Sequence, residues 1–260
     1  MPASEKSTNY NIKNVENALD IFGAFIENGP RLSAVQIQEH LNTNTNMAFR
    51  LLTTMVNAGY LCYDEETAKY YPSLRVLQLC NTVLNNLEIR RLAMGSMHSF
   101  YKEHSEFNCN LAVLEGDALF SVHRFNSTAN QQYFFNPGMR LPPHASATGK
   151  VLLAAMTDEE ALTVVERNGM KVFTENTITD PKVLLKQLAQ VRVEEVGWSH
   201  SEHIPHLHAA AAPVRGADGK AIAAISISFF SPSGDTTLLK QCLPKLKAMA
   251  YDVSYAAGWH

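Results

Sequence analysis

Apolar side chains recur at Val15, Ala18, Leu19, Phe22, Phe25 and Ile26. That i, i+3, i+4, i+7 spacing predicts an amphipathic helix over 14–27. Asn28-Gly29-Pro30 ends it, because Gly29 suits a left-handed C-cap and Pro30 cannot continue a helix. Ser33 is a good N-cap for a second helix, whose apolar positions are Ala34, Ile37 and Leu41. The polar run from Asn42 to Asn46 competes for backbone hydrogen bonds and predicts a turn before a third helix. There Ala48, Leu51, Leu52, Met55 and Val56 form the apolar stripe, while Asn46, Phe49, Arg50, Thr53 and Asn57 face the other way. Residues 60–63 and 69–71 read as two short strands, joined as a hairpin by Asp64 to Ala68. Three short helices and a hairpin make a winged helix-turn-helix, in which the third helix can enter a major groove.

Beyond the hairpin, Leu79, Val83, Leu87 and Ile89 recur with polar interruptions over 78–92, as in a linker helix. Helix and strand patterns then alternate. Met94, Met97, Phe100 and Tyr101 suggest a helix, and 111–122 a hairpin turning at Gly116-Asp117. Helices are expected over 146–156, 158–167 and 181–195, with Thr157 and Glu160 as a capping box and Pro181 in a first turn. A second hairpin turns at Asp218-Gly219, and a closing helix over 238–256 should kink at Pro244. The fold class is therefore α+β: an N-terminal winged helix-turn-helix, a linker helix and a C-terminal α+β domain. The expected bounds are 10–76, 77–92 and 93–260.

Composition narrows the function. At 260 residues and 46% hydrophobic, the chain can bury a sizeable core and is not disordered. No stretch reaches the roughly 18 apolar residues of a membrane span, and the polar start shows no secretory signal. Four cysteines lie far apart without a CxxC, which argues against a disulfide framework or a Cys-rich zinc site. A cytoplasmic protein is expected. The net charge of −3 excludes coating of nucleic acid by bulk charge. Residues 1–80 hold six basic and eight acidic side chains, a poor electrostatic footprint for DNA. A ligand-sensing or docking protein without DNA binding is thus the alternative reading, although Arg, Asn and Thr on the third helix can still read bases.

Linked motifs sharpen the choice. Asn14 to Phe22, Phe49-Arg50-Leu51-Leu52, Asn57 to Leu61 and the wing Asp64 to Tyr70 resemble the corresponding segments of IclR-type bacterial transcription regulators. So do Leu141 to Ala154, Thr174 to Asp180 and Ala211 to Arg215, followed by Asp218-Gly219 and Ile225 to Ser228. The blocks occur in the right order along most of the chain, which is far more specific than a lone motif. The resemblance implies a GAF-like effector-binding domain behind the DNA-binding one. It also implies a double-stranded DNA operator, a small organic acid as effector, and a homodimer or dimer of dimers. No enzyme activity, cofactor or membrane is implied.

Candidate residues follow. DNA contact is expected from Thr45, Asn46, Phe49, Arg50 and Thr53, with Asn46 and Arg50 as base readers and Lys69 on a phosphate. Ser226 and Ser228 alternate with Ile225 and Ile227, so their hydroxyls share one strand face. By themselves they could be two small polar residues on a strand; the resemblance makes them pocket lining. It also places Ala147 and Thr148 at a helix N-terminus able to attract a carboxylate, and puts Ala209 where the family has a cysteine. His208 is expected to reach the same pocket. His144 reads as a structural residue capping its turn. No metal is expected, but His200, His203, His206 and His208 make a local cluster open to a metal reading; the plainer one is a solvated loop. No G-x-S-x-G or H-E-x-x-H is present, and no base can be assigned to a serine nucleophile.

Overall fold

The computed structural model describes residues 11–129 and 136–260. Residue 10 of the expected first domain and the polar start of the chain lie outside the described residues. The chain divides between Val83 and Leu84 into two compact units.

In the first unit the helices are α1 (Lys13–Asn28), α2 (Ala34–His40) and α3 (Thr45–Asn57), with the strand β1 (Leu32–Ser33) between the first two. The hairpin is β2 (Leu61–Asp64) and β3 (Lys69–Pro72), and α4 (Arg75–Asn86) follows. Ser33 and Gln36 close a capping box on α2. Ile21, Ala24, Leu32, Ile37, Leu52 and Leu61 form the centre of this unit's core. The three strands pair antiparallel in the order β1-β3-β2, a winged helix-turn-helix.

The second unit opens with α5 (Glu88–Glu103), β4 (Asn108–Glu115) and β5 (Ala118–Phe125). Then come β6 (Arg140–Leu141), α6 (Ala147–Ala154), α7 (Asp158–Asn168) and α8 (Pro181–Glu194). It closes with β7 (Gly197–His200), β8 (Leu207–Arg215), β9 (Ala221–Phe230), α9 (Thr237–Gln241) and α10 (Leu243–Ala256). Six antiparallel strands lie in the order β6-β5-β4-β9-β8-β7. Ile225, Ile227, Ala210 and Ala212 pack on the face covered by α5 and α10. Ala211 and Ala224 pack on the opposite face, under α6, α7 and α8. Small residues let α6 lie close to the sheet; a Cβ on Gly197 would overlap the Ala147 carbonyl oxygen.

Two expectations are corrected. The linker over 77–92 is not one helix but α4 and α5, which break at Leu87, in extended backbone. Asn85 and Asn86 precede the break, and such side chains compete with the helix for its own backbone groups. Arg90 of α5 donates to the carbonyl of Leu84 at 3.4 Å, taking up an end carbonyl that the break exposes. The closing helix likewise is two: α9 ends before Cys242, and α10 restarts with Pro244 in its first turn, where a missing N–H costs nothing.

Candidate functional site

Two places bring together the residues singled out above, one in each unit. On α3 the side chain of Asn44 caps the start by accepting from Met47 N at 2.9 Å. Ala48, Leu51, Leu52 and Met55 are buried, so the 3.6-residue period turns Asn46, Phe49, Arg50 and Thr53 to the outside. Phe49 is 58% exposed, its ring open to a partner at this face. Asn46 and Arg50 make no side-chain hydrogen bond with other described residues, and their polar groups are available to a partner. Thr45 instead donates to Gln38 Oε1 at 2.9 Å, tying α3 to α2.

Lys69 is half-buried on the wing, opposite Asp64 in the β2–β3 register. Asp64 accepts from the backbone of Glu66 and Thr67, and its hydrogen bonds with Thr67 hold its carboxyl below the usual range. Arg31 and Arg75, not singled out from sequence, are spent inside the unit. Arg31 bonds Asp64 at 2.7 Å and stacks on Tyr71. Arg75 donates to the Ala58 carbonyl at 2.7 Å and stacks on Tyr60. Among the described residues, Arg50 and Lys69 are thus the cations left at this face of α3 and the wing.

In the second unit a cavity of about 60 Å³ lies between α6 and the sheet. Ala147, Thr148, Ala209, Ser226 and Ser228 all line it. Ser146 sets the α6 entrance: its hydroxyl accepts from Gly149 N at 3.2 Å and donates to the Pro142 carbonyl at 2.8 Å. Asn110, Arg124 and Ser199, which sequence reasoning missed, and His203, which it considered only for a metal, also form the wall. Asn110 and Arg124 face each other across β4 and β5, a pairing visible only once the register is known. Arg124 Nε donates to Asn126 Oδ1 at 2.7 Å. Burial pushes the Arg124 guanidinium down to about 10, which leaves it charged at neutral pH.

The expectation for His208 is corrected. Strand alternation sends Leu207 and Ala209 to the cavity and His208 to the other face of β8, beside Phe229. There it is buried, with Nε2 3.3 Å from Ser201 Oγ. Nor do the four histidines converge. His200 stacks on Trp198, His206 packs edge-on to Phe230, and His203 meets Phe173. Among the described residues no three His, Cys, Asp or Glu side chains could share a metal ion. His144 does not cap its own turn either. It is buried, stacked on Phe173, and its Nε2 donates to the Lys171 carbonyl at 3.1 Å.

One buried ion pair braces the cavity. Lys150 of α6 and Glu202 are 1% and 4% exposed, and both carboxylate oxygens lie 2.6 Å from Lys150 Nζ. Nζ also donates to the Trp198 carbonyl at 3.0 Å. The Thr174 and Thr177 hydroxyls hold the carbonyls of Ser201 and Glu202. Glu202 is followed directly by His203 and Ile204, both cavity residues, so the pair ties one wall to the other.

Burial pushes His123, His144, His200 and His208 below the ordinary imidazole value, and His203 to about 4. An unfolded chain takes up protons near pH ~6.5, before the folded chain does. Their contribution to stability is therefore complete above that pH and is lost as pH falls toward about 4. Urea midpoints should fall steadily between pH 6.5 and about 4.5, before most carboxylates titrate. Midpoints constant across that window would contradict this set of depressed imidazoles.

Residues 14–65 match the model of the IclR helix-turn-helix domain, and residues 81–255 that of the bacterial transcriptional regulator IclR C-terminal. The chain is 29% identical over 248 residues to the HTH-type transcriptional regulator KdgR of Escherichia coli K12, covering 95% of this chain and 94% of that one. It is 30% identical over 250 residues to the p-hydroxybenzoate hydroxylase transcriptional activator of Acinetobacter baylyi, covering 93% and 90%. Its fold matches, with a TM-score of 0.78, the crystal structure of an IclR homologue complexed with 4-hydroxybenzoate from Microbacterium hydrocarbonoxydans. That match has 21% identity and covers 93% of this chain and 98% of the other. The two sequence relatives are transcriptional regulators, not enzymes.

Proposed function

The chain belongs to the IclR family of bacterial transcriptional regulators, and on that premise we propose how its two units divide the task. It is a DNA-binding regulator. The outer face of α3 reads the operator, with Asn46 and Arg50 on base edges, Thr45, Phe49 and Thr53 beside them, and Lys69 on a phosphate. A small organic acid occupies the cavity against Ala147, Thr148, Ala209, Ser226 and Ser228, and favours one geometry of the assembly over another. The controlled genes are those of a catabolic operon handling that acid. The observation that carries this reading is the convergence of hydroxyls and a guanidinium on one partly open cavity.

A homodimer, alone or paired into a dimer of dimers, supplies two recognition helices for two half-sites. Exposed apolar side chains support it: Val15, Leu19 and Ile26 on α1, and Leu77, Leu79 and Val83 on α4, which buries none of its residues. No described helix is long and apolar enough to cross a membrane, and action in the cytoplasm is part of the same proposal. The acidic wing tip, with Glu65 and Glu66 exposed, favours the docking alternative instead.

Ala209→Leu tests the coupling, because the larger side chain takes up most of a cavity of about 60 Å³. Operator affinity, read by fluorescence anisotropy, should change about tenfold, a coupling of roughly 1.4 kcal/mol. Added acids should then lose their effect. Equal affinities, with acids acting on both proteins alike, would contradict the coupling.

A further inference from the structure

Outside the cavity under α6, an open cleft of about 330 Å³ in the second unit gathers positive charge. Three cations line it: Arg140 on β6, Arg167 in the last turn of α7, and Lys171 just beyond that helix. No carboxylate lines it, and none of the three makes an ion pair among the described residues. Arg140 donates to Asn168 Oδ1 at 3.3 Å, a neutral acceptor, and Lys171 Nζ lies 5.9 Å from the centre of the Phe173 ring. Arg167 makes no side-chain hydrogen bond with a described residue. Local structure holds the three together. Asn168 ties the end of α7 to the Asp117 carbonyl at 2.5 Å, Gly169 turns the chain out of the helix at φ +70°, and buried His144 fixes the Lys171 carbonyl. In a chain of net charge −3, like charges gathered without a counter-charge repel one another and point to an anion that completes them.

His144 adds a second requirement. It is 1% exposed, and because its Nε2 donates to Lys171, its Nδ1 is an acceptor that no described residue satisfies. A buried acceptor without a partner is costly, and in a cleft wall it points to an occupant that brings a donor.

We propose that this cleft binds a phosphorylated small molecule of the sugar-phosphate class, with Arg140, Arg167 and Lys171 around the phosphate and His144 Nδ1 accepting from a hydroxyl. A phosphate monoester carries nearly two negative charges and three acceptor oxygens, so it meets cations from three segments; a carboxylate offers one charge and two oxygens. The volume is that of an ordinary small-molecule site, roughly 300–1,000 Å³. The cleft shares Leu141 and His203 with the acid cavity, so one domain receives two ligands across a common wall.

The test is calorimetric titration of the full chain, in about 0.15 M chloride, with ribose 5-phosphate, glucose 6-phosphate and pyrophosphate, and with unphosphorylated ribose and glucose. At least one sugar phosphate should bind saturably with a Kd below about 1 mM, and neither free sugar should bind. Arg140→Ala with Arg167→Ala should weaken that binding at least about 10-fold, and Lys171→Ala by less. Both arginines are exposed, so the double variant should keep its melting temperature and its operator affinity. Ala209→Leu, which fills the acid cavity, should leave sugar-phosphate binding unchanged. The ranking of phosphorylated against free sugars on the unaltered protein stands as a test even if a variant does not fold. No sugar-phosphate binding up to about 10 mM would overturn the proposal, as would pyrophosphate binding alone. So would undiminished affinity in the double variant, or loss of binding in Ala209→Leu, which would move the anion to the acid cavity. A double variant that loses operator affinity, with no sugar phosphate bound by the unaltered protein, would assign these cations to DNA instead.

Discussion

Replacing Lys150 with methionine should lower the stability of the protein by about 3–5 kcal/mol, because it leaves the Glu202 carboxylate buried without its counter-charge. Both partners are almost wholly inaccessible, and the ammonium meets both carboxylate oxygens at 2.6 Å. Burial pushes the Lys150 ammonium below the usual lysine range, and Glu202 opposes that shift. The pair therefore exists as an answer to its own desolvation, and breaking it costs more than making it gains. Glu202→Gln should be nearly as harmful. The double variant Lys150→Met with Glu202→Leu should recover most of the loss, since an apolar pair of similar volume removes both desolvation costs. At roughly 2–4 °C for each kcal/mol, the single variants should melt about 6–20 °C lower. Urea titrations followed by circular dichroism measure all three. A single variant within about 1 kcal/mol of the unaltered protein would show that the pair is not buried as described. The consequence for function is local. His203 and Ile204 follow Glu202, so loss of the pair loosens one cavity wall.

The second large effect is expected at α3. Arg50→Ala should reduce operator affinity by about 30-fold to 10⁴-fold, taking 1–3 kcal/mol for each base-reading arginine and two half-sites in a dimer. Stability should hardly change, because Arg50 is exposed and makes no side-chain hydrogen bond with described residues. Arg50→Lys should not restore discrimination, since a single ammonium lacks the two-pronged fork that meets guanine. Lys69→Ala should behave differently, weakening all DNA alike and reducing the salt slope by about one for each site. Anisotropy with operator and scrambled duplexes separates these outcomes. Undiminished operator affinity in Arg50→Ala would remove α3 as the reading element.

Much of this was legible from periodicity. The stripes of α1 and α3 set the inner and outer faces of the first unit, and turn residues placed the wing. Thr157 with Glu160 caps α7, and Pro181 opens α8, as their chemistry predicts. The alternation of Ser226 and Ser228 with two isoleucines correctly put both serines on one face, and the structure puts that face on the cavity. What escaped depends on pairing between distant segments. Asn110 and Arg124 become neighbours only through a register that includes a bulge between Leu111 and Ala112. Lys150 and Glu202 are separated by 52 residues, and nothing local marks them as partners. His208 failed for the opposite reason: alternation along β8 was readable, but with Ala209 on the cavity side its neighbour had to face away. The break at Leu87 was hidden because apolar periodicity runs through the joint, whereas Pro244 announced the one at Cys242, though only as a kink.

The account stands or falls on DNA binding through α3, given a wing with an acidic tip and, among the described residues of the first unit, few free cations. The direct measurement is a gel shift of the purified full chain on the DNA upstream of its own gene, repeated over a salt series. The predicted result is saturable, competitor-resistant binding whose affinity falls steeply as salt rises, because lysine and arginine contacts release counterions from phosphates. A folded dimer that binds no DNA even at low salt would contradict it.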